Sequence, residues 1–210
     1  MILEIIQITI LFVIPVLLIY FKIIPFKYRK NTLITISIIT VVLIIYERWS
    51  LNKLGIRLDN MSQCIIPYII FTALCLVALI SIAKLTKRKK RQKFYANKKL
   101  IISIMFGSIL QEILFRGFLF PKLQSIFNNY IVIIVINAVL FTLIHIIYSN
   151  TKTTLITIAI GGIGFAWMYT FYPNLILIAI SHIILNHVAL LYNFYSEENT
   201  IRRIKTSDMI

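Results

Sequence analysis

Seven uninterrupted apolar stretches, at about residues 3–21, 32–46, 64–83, 100–120, 130–148, 153–172 and 174–193, constrain this chain more than any other feature. Stretches of 15 residues or more with so few charges match the hydrocarbon core of a bilayer, which takes roughly 20 helical residues to cross. Isoleucine and valine are abundant in them, yet a lone strand in lipid leaves its backbone groups without partners, so the runs read as helices. Apolar residues make up 60% of the 210 positions, against about 45–50% in soluble domains. The expected fold is all-α, a polytopic membrane helix bundle of about seven transmembrane helices. A soluble enzyme, a nucleic-acid module and a secreted disulfide scaffold are excluded on the same grounds.

The charges give the bundle an orientation. Lys+Arg number 22 against 7 Asp+Glu, a formal net charge of +15. With seven crossings, Arg48, Lys53, Arg57 and Lys122 fall on one side, while seventeen basic residues fall on the other and Arg116 lies inside a span. The positive-inside rule then places the N-terminus outside and the C-terminus in the cytoplasm of a multi-pass cell-membrane protein. The run Lys84-Leu85-Thr86-Lys87-Arg88-Lys89-Lys90-Arg91-Gln92-Lys93 directly follows an apolar stretch, and it reads as orientation and contact with lipid headgroups, with no nucleic-acid partner.

Other features fit that frame. The opening Met1-Ile2-Leu3-Glu4 lacks a basic n-region and a small-residue cleavage site, so the first run reads as a retained span. Cys64 and Cys75 are separated by roughly 16 Å of helix, too far to bridge. The expected organisation is three N-terminal spans over 1–99, a four-helix core over 100–193 and a polar cytoplasmic tail over 194–210. Ser103 with Gly107, and Gly161, Gly162 and Gly164, read as small residues that let helices approach. Pro121 is expected to end the fourth helix, and Trp167, Tyr169 and Tyr172 to anchor an interface.

Polar groups deep in the runs carry the chemistry. Glu112 is the one acid far inside a span, roughly 18 Å past its start, and Arg116 follows four residues later. An ionisable group at that depth is a functional hypothesis by default. Ser108, Glu112 and Arg116 share a helix face, whereas Gln111 points about 100° away from Glu112. Asn137, Phe141 and His145 share a face of the fifth run, and His182 and Asn186 share a face of the seventh; His187 is turned away from it. Single groups of this kind often serve only interhelical hydrogen bonds, and Glu112 with Arg116 can simply neutralise each other. Together they are tolerable in lipid if they converge on one interior site. A carboxylate or imidazole can activate water, and His with Asn can donate to an oxyanion, so hydrolysis is the expected chemistry. Glu112, His145 and His182 could also ligate zinc, but no HExxH-type local pair supports a metal cofactor.

The segments Gln111-Glu112-Ile113-Leu114-Phe115-Arg116, Phe141-Thr142-Leu143-Ile144-His145 and His182-Ile183-Ile184-Leu185-Asn186 resemble the EExxxR, FxxxH and HxxxN motifs of the CAAX-processing and bacteriocin-processing (CPBP, or Abi) intramembrane proteases. The resemblance covers about residues 100–190. Leu54-Gly55-Ile56-Arg57 is a weaker family-like feature. The resemblance implies a metal-free membrane endopeptidase, with His145 orienting the attacking water, His182 and Asn186 as oxyanion donors, and Glu112 and Arg116 at the second Glu and the Arg of the first motif. Gln111 stands where the family has its first, water-activating Glu, and an amide cannot accept a proton as a base. Two readings follow. The chain is an endopeptidase with Glu112 or His145 as base and Gln111 positioning the water, or it is an impaired homologue that binds peptide as a bacteriocin self-immunity protein. Membrane lipids and a membrane-near peptide are the expected partners in both.

Overall fold

A computed structural model describes residues 1–92, 94–96, 98–146 and 152–194; the expected tail from 195 onward lies outside them. The described residues form helices and turns with no strand. Seven apolar helices follow the seven runs: α1 Ile2–Tyr20, α2 Phe26–Tyr46, α3 Met61–Leu85, α4 Lys98–Ile126, α5 Tyr130–Ile146, α6 Lys152–Phe171 and α7 Leu175–Leu191. Five are long and apolar enough to cross a membrane, while α5 and α7 are shorter apolar helices of 17 residues each. The side chains of α2 and α3 that face away from the bundle, such as Val42, Tyr46, Ile66 and Leu74, are exposed and apolar, as lipid contact requires.

α4 differs from expectation in length. Pro121 does not end it, because residues Ile113–Leu119 wind as a π-helix before the helix closes with Phe120–Ile126. Pro121 falls in the first turn of that closing segment, where its missing N–H is least costly. Asn137 of α5 donates to the Phe115 carbonyl at 2.9 Å, a second bond for an oxygen that already accepts from the Phe120 amide. The wide turn and its external donor thus lie beside Arg116. Such π-helical insertions gather at functional positions.

Packing places α7 at the centre of the site. It lies along both α3 and α4, α5 pairs with α6, and α2 rests on the π-helical stretch of α4. α3 touches α6 only briefly, which leaves a groove between them. The glycines divide accordingly. Gly162 meets Phe141 and Ala138 of α5, and Gly164 meets Phe71 of α3, so both permit close approach. Gly107 and Gly161 meet nothing within 4 Å, so their expected packing role is replaced by another: they keep cavities open.

Both ends of the bundle are tied by polar contacts. At one end, Lys122 reaches both Glu47 oxygens at 2.6 and 2.7 Å, and Gln7 and Trp49 donate to the same carboxylate. Burial pushes the Glu47 carboxyl up, but the bonds from Lys122, Gln7 and Trp49 outweigh this and hold it below its usual range. At the same end, the loop between α2 and α3 clasps the turn between α6 and α7. Asn174 caps α7 through Leu177 N and donates to Arg57 O and Asn60 Oδ1, while Leu175 N donates to Gly55 O. Tyr169 is buried, its hydroxyl bonded to Leu54 O at 3.3 Å, and so it locks this loop instead of anchoring a lipid interface.

Gly55 carries the loop with φ +77, and a Cβ there would lie 2.0 Å from the Tyr169 hydroxyl oxygen. Gly55→Ala combines left-handed strain with overpacking, so it is expected to cost about 2–4 kcal/mol. Thermal unfolding in detergent checks this; a midpoint unchanged from the native protein would remove the clasp from the account.

At the opposite, basic end, Arg88 does more than attract headgroups. It donates to Asn193 O at 2.9 Å and Thr154 Oγ1 at 3.1 Å, and its guanidinium stands 4.2 Å from the Phe194 ring. The basic run therefore also fastens the ends of α3, α6 and α7 to one another.

Candidate active site

Glu112 and Arg116 are both fully buried on α4, one turn apart. Arg116 Nη1 donates to Glu112 Oε1 at 3.2 Å, and Nη2 donates to Gly162 O at 3.4 Å. The guanidinium also stands 4.9 Å from the Phe141 ring and 5.5 Å from that of Phe165. Two aromatic faces and a carboxylate together make a charge tolerable at this depth. His182 of α7 completes the cluster, with Nδ1 2.5 Å from the same Glu112 oxygen. Glu112 lines neither of the cavities described next. Its Oε1 is shared between Arg116 and His182, and its Oε2 has no partner among the described residues.

The 100° turn from Glu112 to Gln111 has a clear result. Gln111 faces a cavity of about 300 Å³ that it shares with Ser108, His145 and Asn186, from three helices. Gly107 leaves this space open, and Arg29 and Lys30 line it at the basic end of α2. Asn186 Nδ2 donates to Ser108 Oγ at 3.0 Å, which aims the amide at the cavity wall of α4. His145 Nδ1 lies 2.7 Å from Phe141 O. A carbonyl only accepts, so Nδ1 carries the proton and Nε2 holds the lone pair of the neutral ring.

A second cavity of about 230 Å³ occupies the groove between α3 and α6. Its walls are mostly apolar, with Cys75, Leu79, Ile158 and Gly161 among them, and His182 and Asn186 stand at its inner side. Asn186 thus borders both cavities. The Phe141 ring packs against both histidines, 4.7 Å from the His145 ring and 5.8 Å from that of His182.

The interior residues singled out from sequence come together in this way. Gln111, His145 and Asn186 face the first cavity, His182 and Asn186 the second, and Glu112 with Arg116 lies behind His182. Asn137 instead supports the π-helical stretch. His187 borders neither cavity; its Nδ1 donates back to Ile183 O and its ring contacts Phe94. Gly107, Gly161 and Lys30 were not legible as cavity residues, because a missing side chain and a helix-end charge have no distinctive spacing. Among the described residues no group of three or more His, Cys, Asp or Glu is placed to hold a metal ion.

Comparison with known proteins adds one match. Residues 96–188 fit the family model described as Rce1-like, type II CAAX prenyl endopeptidase Rce1-like. That stretch contains all three motifs and runs from the start of α4 into α7. No curated protein and no solved structure matches the chain.

Proposed function

From a chain whose residues 96–188 match the model of the Rce1-like type II CAAX prenyl endopeptidases, we propose a multi-pass membrane endopeptidase that hydrolyses a peptide bond close to the cytoplasmic surface. The observation that carries this reading is the convergence of Gln111, His145 and Asn186, from three helices, on one cavity that reaches the basic end of the bundle. By the positive-inside rule that end is cytoplasmic, with the N-terminus outside and seven crossings.

In this reading water sits at Asn186, where the two cavities meet, with the Gln111 amide and the His145 ring on one side and His182 on the other. The amide holds the water but cannot take its proton, and Glu112 is engaged by Arg116 and His182, so an imidazole accepts it. The scissile carbonyl sits at Asn186, whose Nδ2–H donates to the oxyanion as the tetrahedral intermediate forms. Hydrocarbon of the substrate, the prenyl group in the family's own description, lies in the apolar groove beside Gly161 and enters sideways from the lipid between α3 and α6.

The test uses the purified full chain in detergent, with a library of apolar peptides in prenylated and unmodified form. Cleavage is expected, and His145→Gln should lower its rate by about 10²-fold, the scale of a lost acid–base partner. If the native protein binds library peptides without cutting any, the endopeptidase reading gives way to a peptide-binding role such as self-immunity.

A further inference from the structure

The two histidines differ in what stands behind them. The Nδ1–H of His145 meets a carbonyl, Phe141 O. That of His182 meets the Glu112 carboxylate at 2.5 Å, and Arg116 donates to the same oxygen. Resting charges of one carboxylate and one guanidinium cancel, so a neutral His182 leaves the buried cluster without net charge, as a low-dielectric interior favours. A neutral ring with its proton on Nδ1 holds a lone pair on Nε2. Among the described residues no hydrogen bond reaches that atom, and the ring borders the groove that also holds Asn186. In this state His182 is an acceptor and cannot donate to an oxyanion.

We propose, resting on the endopeptidase reading, that His182 is the general base of this chain and Glu112 the positioning residue that orients it. Nε2 takes a proton from water as the water oxygen bonds to the scissile carbonyl carbon and the carbonyl electron pair moves onto oxygen. The imidazolium so formed is stabilised by Glu112, and the oxyanion by Asn186. As the C–N bond breaks, the carbonyl re-forms and the proton passes from Nε2 to the departing amine, leaving a carboxylic acid, an amine and a neutral His182. The carboxylate missing at Gln111 is thus replaced by one that acts through an imidazole. His145 orients the water from the other side of Asn186.

Two measurements on the full chain in detergent decide this. With ¹⁵N-labelled histidine, only three rings contribute signals. The one lost in His182→Gln should carry its proton on Nδ1, far downfield, with a bare Nε2, and Glu112→Gln should move it upfield. An Nε2-protonated His182 in the native protein overturns the proposal whatever the activity. In the peptide assay, His182→Gln should lower kcat by about 10³-fold or more with little change in KM, a larger loss than His145→Gln gives. Both of these variants retain the Glu112–Arg116 pair, so the comparison stands even if Glu112→Gln fails to fold. Cleavage that survives His182→Gln but dies in His145→Gln overturns the base assignment and leaves the endopeptidase reading intact. A native chain that cuts nothing, with the Nδ1–H tautomer in place, overturns both.

Discussion

Gln111→Glu is expected to raise the peptide-cleavage rate by about 10²-fold, the low end of what a positioned general base contributes, because on the proposed reading an imidazole already accepts protons in this site. The change is nearly isosteric, and position 111 faces the first cavity with His145 and Asn186. It is also only partly buried there, unlike Glu112, so an ionised carboxylate does not bear a full burial cost. Lys30, at the rim of the same cavity, favours the negative form further. The check is initial rates of the two proteins on one library peptide near pH 7, with His182→Gln added to each. A carboxylate that bypasses the native base should make the second change cost less in the Gln111→Glu background. Equal rates for native and variant would mean that the cavity does not hold the reacting water. Activity in the variant alone would mean that the native chain binds without cutting.

Arg116→Leu is expected to cost about 3–5 kcal/mol of stability, the range for removing one partner of a buried ion pair. Arg116 is fully buried, and its loss would leave Glu112 with one bond, to His182, and an uncompensated charge among Phe115, Phe141 and Phe165. The double change Glu112→Gln with Arg116→Leu removes the charge as well as its partner, so it should recover much of the loss. Unfolding midpoints in one detergent, for both single variants and the double, give the coupling energy. If the two single losses simply add in the double variant, the pair contributes nothing as a pair, and Arg116 serves only by filling space.

The bundle was legible in the sequence where chemistry repeats along the chain. Seven apolar runs gave seven apolar helices, since lipid leaves a long run no other stable form. Helical periodicity alone separated Gln111 from Glu112, and the structure turns that angle into a cavity residue and a buried one. Less was legible where local signals are overruled from a distance. Pro121 reads as a helix end, yet the π-helical turn before it, with its Phe115 carbonyl held from α5, carries α4 on to Ile126. Tyr169 looks like an interface aromatic, and only the arrival of Leu54 from 115 positions away buries it. Gly107 and Gly161 share the spacing of packing glycines such as Gly162, and what distinguishes them is the absence of a neighbour. Sequence also placed all the interior polar residues in one cluster, whereas the two histidines line different cavities.

That division bears on how a cut substrate departs. Asn186 belongs to both walls, so on the proposed reading the bond is broken at the boundary between an apolar groove open toward lipid and a polar chamber lined by Arg29 and Lys30. The hydrocarbon-bearing fragment can slip back into the bilayer while the polar fragment diffuses into water, and neither has to wait for the other. Two products with opposite solubilities then leave by two separate doors, and each cleavage clears the site without the bundle having to open.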